Sequence, residues 1–138
     1  MVRVTVATPI RPTEDATKVE AALHRFFPDA DVQRAPDGLK ATTSDLLPFR
    51  SRVWELFIID TVRGQLLHGM AADGLSLSFR LSKQAAAAGK VSFPPTPHPL
   101  GDLEVRIEVE PGDPWPALEP LVWWICPETK DGAIVGPI

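Results

Sequence analysis

Residues 75–82 have the sequence LSLSFRLS, in which apolar and polar side chains alternate without interruption. Strict alternation is typical of a β-strand that has one face in the core and the other in water. Residues 2–8 and 103–110 follow the same pattern, with valine, leucine and isoleucine at every second position. These three segments predict a sheet with one apolar face and one polar face.

Outward from these strands, the first helix follows residues 2–8. Thr13 is a suitable N-cap, and apolar residues recur at helical spacing as far as Phe27. A hairpin is predicted next, with Pro36-Asp37-Gly38 as the turn between two short strands.

From about Asp45 to Gly69 the pattern is helical, with Pro48 tolerable in a first turn and Gly69 as a C-cap. Its broad apolar face, which includes Phe57, predicts one long helix or two kinked ones, buried in the middle. A last helix is expected to open at Pro114 and Trp115.

Strands with one polar face, separated by helices, predict an α+β fold: a mostly antiparallel sheet with helices packed on one side. The other side is left for solvent or a partner. The chain has 138 residues and neither an internal repeat nor a long linker. We therefore expect a single domain over residues 1–126 and a loosely ordered C-terminal tail over residues 127–138.

The formal net charge is -4, which excludes a protein that binds nucleic acid through bulk positive charge. The charge is uneven, however: residues 1–49 carry -1, residues 50–90 carry +3 and residues 91–138 carry -6. A local basic patch in the middle of the chain remains compatible with phosphate binding. Cys126 is the single cysteine, and no segment resembles a signal peptide or a membrane span, so we expect a cytoplasmic location.

Side chains suited to catalysis are not arranged in any familiar pattern. The three histidines are not spaced as metal ligands usually are, and Gly89-Lys90 lacks the earlier glycine of a phosphate-binding loop. Cys126 follows two tryptophans, as a packed thiol would. We therefore expect no enzymatic activity, no cofactor and no metal.

Two segments carry a family resemblance: residues 11–29 (RPTEDATKVEAALHRFFPD) and residues 81–93 (LSKQAAAAGKVSF). Together they resemble an archaeal family of uncharacterised proteins grouped with predicted RNA-binding, exosome-subunit-like domains. The resemblance extends over residues 2–125, with Ser82 where the family usually has Asn. It implies a fold similar to the ribosomal protein that binds five-S RNA, and a predicted RNA-binding role.

The second segment is also chemically suited to phosphate. Cationic side chains neutralise backbone phosphates, and glutamine or serine donates to phosphate or base edges. The residues expected to contact RNA are Arg11, Arg80, Lys83, Gln84, Lys90 and Ser92. Two other interpretations stay open: residues 83–90 as a plain helical connector, and a non-catalytic scaffold protein that forms a homodimer through a sheet edge or the Trp-rich C-terminal end.

Overall fold

A computed structural model describes residues 2–94, 101–109, 118–130 and 133–134. In chain order the elements are β1 (Arg3–Pro9), α1 (Ala16–His24), β2 (Asp31–Ala35), β3 (Gly38–Thr43), α2 (Leu47–Glu55), α3 (Ile59–His68), β4 (Ser76–Leu81), α4 (Lys83–Ala87), β5 (Leu103–Glu108), α5 (Glu119–Ile125), β6 (Thr129–Lys130) and β7 (Ala133–Ile134). Among these helices none is long and apolar enough to cross a bilayer.

The predicted α+β architecture is confirmed. Five strands form one antiparallel sheet in the order β2-β3-β1-β5-β4, and β6 pairs with β7 separately. Every second side chain of the four strands from β3 to β4 is buried beneath the helices. Phe49 of α2 stacks on Phe79 of β4, with ring centroids 5.9 Å apart, so an aromatic contact joins a helix to the sheet. The intervening side chains of these four strands point to the opposite face of the sheet, away from the helices.

The first helix begins two residues later than Thr13 predicted. Asp15 is the N-cap, and its carboxylate accepts a hydrogen bond from the Thr17 N–H over 2.9 Å. Thr13 lies instead in a turn, in which the Glu14 N–H donates to the Arg11 carbonyl. This turn is retained because the Glu14 carboxylate pairs with Lys83 of α4.

The helical region from Asp45 to Gly69 is two helices, α2 and α3. The expected features of their ends are confirmed, with Pro48 in the first turn of α2 and Gly69 as the C-cap of α3. The expectation that Phe57 is buried was wrong: its side chain is 84% exposed, and its φ of 56° breaks the helix. Because Phe57 turns outward, α3 can pack its own apolar stripe on the core.

The end of the chain is described in part. The last helix begins at Glu119, whereas the start predicted at Pro114 and Trp115 lies outside the described residues. Within the segment expected to be a loose tail, β6 and β7 form a short hairpin. One hydrophobic core includes residues from Val2 to Cys126 and so draws on β1 and α5 together.

Candidate nucleic-acid interface

The face of the sheet opposite the helices carries ordered rows of polar side chains. Antiparallel register places Lys40 of β3, Ala7 of β1, Glu104 of β5 and Arg80 of β4 side by side. The next row consists of Thr42, Thr5, Arg106 and Ser78. Each row therefore places long charged side chains beside small ones.

This arrangement forms an open groove of about 740 Å³ on the outer face. We call it the outer-face groove. Its floor includes Thr5, Ala7 and Ser78, which leave space because their side chains are small. Three cationic residues contribute to its lining: Lys40, Arg80 and Arg106.

One end of the groove is closed by segments that flank β4. The C-terminal turn of α3 contributes Gln65 and His68, and the chain after α4 contributes Phe93 and Pro94. Gly69 is required beside this edge, because any side chain there would collide with the backbone carbonyl of Ser78. Hydrogen bonds from Ser78 N to the Gly69 carbonyl and from Ser82 N to the Ser92 carbonyl hold both segments in place.

The charges in the groove are not fully neutralised within the protein. Glu108 interacts with Arg106 at 3.2 Å and with Arg3 at 3.9 Å. Lys40 has no acidic partner at ion-pair distance in the described part of the chain. Arg80 donates weakly to the Pro94 carbonyl, at 3.4 Å. The lining therefore carries a net positive charge, with Lys40, Arg80 and Arg106 against Glu104, and an anion that enters the groove is attracted by it.

Lys83 occupies a different environment from the one expected of a phosphate ligand. Its side chain is only 7% exposed, and its Nζ donates to the Pro9 carbonyl over 2.6 Å and to both Glu14 oxygens over 3.1 Å. The predicted phosphate contact does not fit this position, because the ammonium is buried and neutralised by Glu14. Lys83 instead fastens the start of α4 to the turn after β1.

The other predicted site residues divide between two regions. Arg80 alone among them lines the outer-face groove. Arg11 is exposed in the turn that Lys83 fastens, and Gln84 and Lys90 are exposed in and after α4. Ser92 is exposed next to Ser82 at the edge of β4. The structure thus brings Arg11 close to the connector without joining the connector to the groove lining.

The arginines that make residues 50–90 basic have structural partners. Arg50 donates to the Trp124 carbonyl over 2.9 Å, and its guanidinium lies between the Trp54 and Trp124 rings, 4.0 and 4.6 Å from their centroids. Arg63 donates to the carbonyls of Cys126 and Pro127. These contacts satisfy carbonyl groups at the end of α5.

Arg52 has the same role at the end of α4. Its guanidinium donates to the Gly89 carbonyl, and Nε lies 2.9 Å from that oxygen. Gly89 has a φ of 75°, and a side chain there would collide with the guanidinium groups of Arg52 and Arg25. Three of the four arginines in residues 50–90, Arg50, Arg52 and Arg63, therefore bind carbonyl groups at helix ends.

The single cysteine and the possible metal ligands can be described within the part of the chain that the structure covers. The Cys126 thiol is buried, as predicted, and burial raises its pKa to about 12, so the reactive thiolate is scarce at neutral pH. No group of three or more histidine, cysteine or carboxylate side chains suited to a metal occurs in the part of the chain that the structure describes.

Comparisons with known proteins agree with the α+β fold. A family model described as RNA binding matches residues 3–110. A UPF0201 protein of Methanosarcina acetivorans is 30% identical, over 98% of this chain and 90% of the relative. The UPF0201 protein SSO1042 of Saccharolobus solfataricus is 31% identical, over 96% and 92% of the two chains.

A solved structure gives the same result. The crystal structure of the UPF0201 protein from Methanococcus jannaschii superposes with a TM-score of 0.85 at 26% identity, and the match covers 97% of this chain and 99% of that one. These matches place the chain among α+β proteins whose relatives named here come from archaea. The chain belongs to the family whose model is described as RNA binding, and its relatives include UPF0201 proteins, which confirms the resemblance seen in the sequence.

Sequence reasoning did not identify Lys40 and Arg106 as neighbours of Arg80. The sequence gives little signal at Arg106, because three glutamates lie on the same polar face of its strand, as at a solvated sheet edge. In the structure β5 is an interior strand between β1 and β4. The usable signal was that Arg80 and Arg106 both lie on the polar faces of alternating strands.

Proposed function

We propose that this protein binds RNA on the outer face of its sheet, with phosphate groups held by Lys40, Arg80 and Arg106. The observation that carries the proposal is the groove itself, in which three cationic residues surround a floor of small side chains. Cationic side chains bind phosphate by neutralising it and releasing counterions. A concave floor lets the RNA backbone approach these charges closely.

The extent of the family match supports this location. The match to the family model described as RNA binding ends at residue 110, so it includes all five strands of the main sheet and excludes α5. Every residue that lines the outer-face groove lies within the matched segment. A function common to the family fits this face better than the Trp-rich end of the chain.

The proposed role is binding without catalysis. A protein that holds RNA by its backbone requires ordered cations and space, and it needs no activated nucleophile. The exposed residues Arg11, Gln84, Lys90 and Ser92 belong to a second surface, on and around the connector. We assign them at most a supporting part, because they are absent from the groove lining.

The test is the salt dependence of RNA affinity. Replacing Lys40 or Arg80 by Gln should weaken binding of a short RNA and make the slope of log K against log salt shallower by about 0.7 per lost phosphate contact. Lys18→Gln is a matched control, since Lys18 is an exposed lysine on α1, on the helical side. Equal affinities and slopes for all four proteins would refute the proposal.

A homodimer is the second candidate, and two exposed aromatic side chains favour it. Phe57 is 84% exposed and Trp123 is 41% exposed, although the Trp123 ring also lies 4.9 Å from the Arg63 guanidinium. Aromatic residues are enriched at subunit interfaces. Light scattering at increasing protein concentration distinguishes the two states: a constant monomer mass excludes the homodimer.

A further inference from the structure

Glu104 is an unexpected residue in a phosphate-binding groove. It is exposed, and it lies in the same cross-strand row as Lys40 and Arg80, on β5 next to Arg80. A carboxylate beside phosphate oxygens is repelled by them, so contacts to the RNA backbone do not account for it. A carboxylate is an acceptor of hydrogen bonds, and the exocyclic amino group of cytosine, adenine or guanine is a donor that RNA can offer.

Phe93 supplies an aromatic surface in the same groove. The ring is half-buried, and its centroid lies 6.0 Å from that of Phe79 at an interplanar angle of 63°. Phe79 in turn stacks on Phe49 in the core. Phe93 is therefore held by the core while part of it lines the groove. The Arg80 guanidinium makes a long hydrogen bond, 3.4 Å, to the carbonyl of Pro94, the residue after Phe93. Base stacking on such a ring, with phosphate at the adjacent cation, is the usual mode of single-strand binding.

The dimensions of the groove favour unpaired nucleotides. Lys40 and Arg80 are three strand spacings apart, roughly 14 Å, and the end of α3 closes one side. Duplex RNA keeps its base faces inside the stack and is recognised mainly by its shape and backbone. A paired base cannot place its face on Phe93.

From these contacts we infer that the outer-face groove binds single-stranded RNA and recognises one unpaired base. This base stacks on Phe93, and its exocyclic amino group donates a hydrogen bond to the Glu104 carboxylate. This inference rests on the proposed RNA-binding function and adds the class of RNA and of base. Cytosine, adenine and guanine carry an exocyclic amino group, whereas uracil presents a carbonyl oxygen in place of the amino group of cytosine and is repelled by the carboxylate.

The experiment compares fluorescence anisotropy of labelled oligo(C), oligo(A) and oligo(U) of about twelve nucleotides, and of a duplex of equal length. We expect oligo(C) and oligo(A) to bind about tenfold more tightly than oligo(U), and the duplex to bind least. Equal binding of the duplex and oligo(C), or equal binding of oligo(U) and the other two strands, would overturn the inference.

Two variants separate the two contacts. Glu104→Gln keeps the size of the side chain, but its amide can also donate a hydrogen bond to the uracil carbonyl. The preference for oligo(C) and oligo(A) over oligo(U) should therefore fall below about threefold. Affinity for all three strands should rise, because a negative charge is removed from the groove. Phe93→Leu keeps apolar packing on Phe79 but removes the stacking surface, so oligo(C) affinity should fall about tenfold with an unchanged salt slope. Variants that bind all strands as the parent protein does would contradict the assignment.

Failure of the underlying function gives a different result. If no RNA, single-stranded or duplex, binds with a salt-dependent affinity, the proposed function is wrong and the base contact falls with it. If RNA binds with the expected salt slope but without preference for strand or base, the backbone contacts stand and the inference about Phe93 and Glu104 is rejected.

Discussion

At the scale of single residues, the Lys83 ammonium joins two parts of the chain that are far apart in sequence. Its hydrogen-bond partners, Pro9 and Glu14, are 74 and 69 residues away. Lys83→Met should lower the free energy of unfolding by about 3 kcal/mol, because it leaves the Pro9 carbonyl without this donor and the half-buried Glu14 carboxylate without its cation, with the Arg11 N–H still donating. Urea denaturation measures this value. A loss below about 0.5 kcal/mol, as is usual for a surface lysine, would contradict it.

Glu14 makes stability depend on pH at the acidic end. Burial acts to raise the pKa of Glu14, but the hydrogen bonds from the Arg11 N–H and from Lys83, with the charge of Lys83, outweigh it and hold the pKa below its usual range. The contribution of the ionised carboxylate is therefore complete above the ordinary Glu pKa and lost as pH falls through the lowered one.

The corresponding prediction compares two variants across the acid range. Between neutral pH and about pH 3, the stability of the parent protein should fall more than that of Glu14→Gln, which has no proton to gain. Glu128→Gln, at an exposed position, is the control and should follow the parent protein. Parallel pH profiles for the parent and Glu14→Gln, from urea midpoints, would disprove the role of the pair.

Phe57 has a backbone conformation that is costly for a residue with a side chain. Its φ of 56° is in the left-handed region, and an exposed ring gains little from packing. Phe57→Gly should therefore leave stability unchanged or raise it by up to about 1 kcal/mol. Phe49→Ala, at a fully buried ring, should cost about 3–5 kcal/mol in the same thermal melts. A large loss for Phe57→Gly would show that the exposed ring has a partner.

At the scale of elements, the ends of α4 and α5 depend on arginines from α2 and α3. Removing Arg63 as Arg63→Met leaves the Cys126 and Pro127 carbonyls without its guanidinium. The free energy of unfolding should fall by about 1–2 kcal/mol, while RNA affinity should stay unchanged. Calorimetry and anisotropy on the same sample measure both. A drop in RNA affinity with stability preserved would place Arg63 in the binding surface instead.

The elements differ in how far local sequence determined them. The alternating strands β1, β4 and β5 were predictable, since a period of two follows directly from one buried face. Two kinked helices were one of the two predicted alternatives for α2 and α3, but the position of the break was not predictable, because the periodic pattern continues across Phe57 and only the packing of two helices on one core turns that ring outward. Likewise, the N-cap of α1 is Asp15 rather than the predicted Thr13, because Glu14 pairs with Lys83 of α4.

At the scale of the whole molecule, the sheet order decides which charges meet. Arg80 was predictable as a polar-face cation of β4. Lys40 and Arg106 join it because β3, β1, β5 and β4 are adjacent in the sheet, and no sequence spacing encodes that order. Conversely, residues 50–90 carry a formal charge of +3, yet Arg50, Arg52 and Arg63 bind carbonyl groups at helix ends, so the average charge does not by itself locate a binding surface.

A comparison of two triple variants tests the central claim most directly. One removes the groove cations as Lys40→Gln, Arg80→Gln and Arg106→Gln, and the other removes three cations of the helical and connector side as Lys18→Gln, Arg25→Gln and Lys90→Gln. Both change the net charge equally. RNA affinity is measured against salt for each. We predict that the groove variant loses about 2 from the salt slope while the other stays close to the parent protein. The reverse result, with the slope lost in the connector-side variant, would contradict the assignment of the outer face.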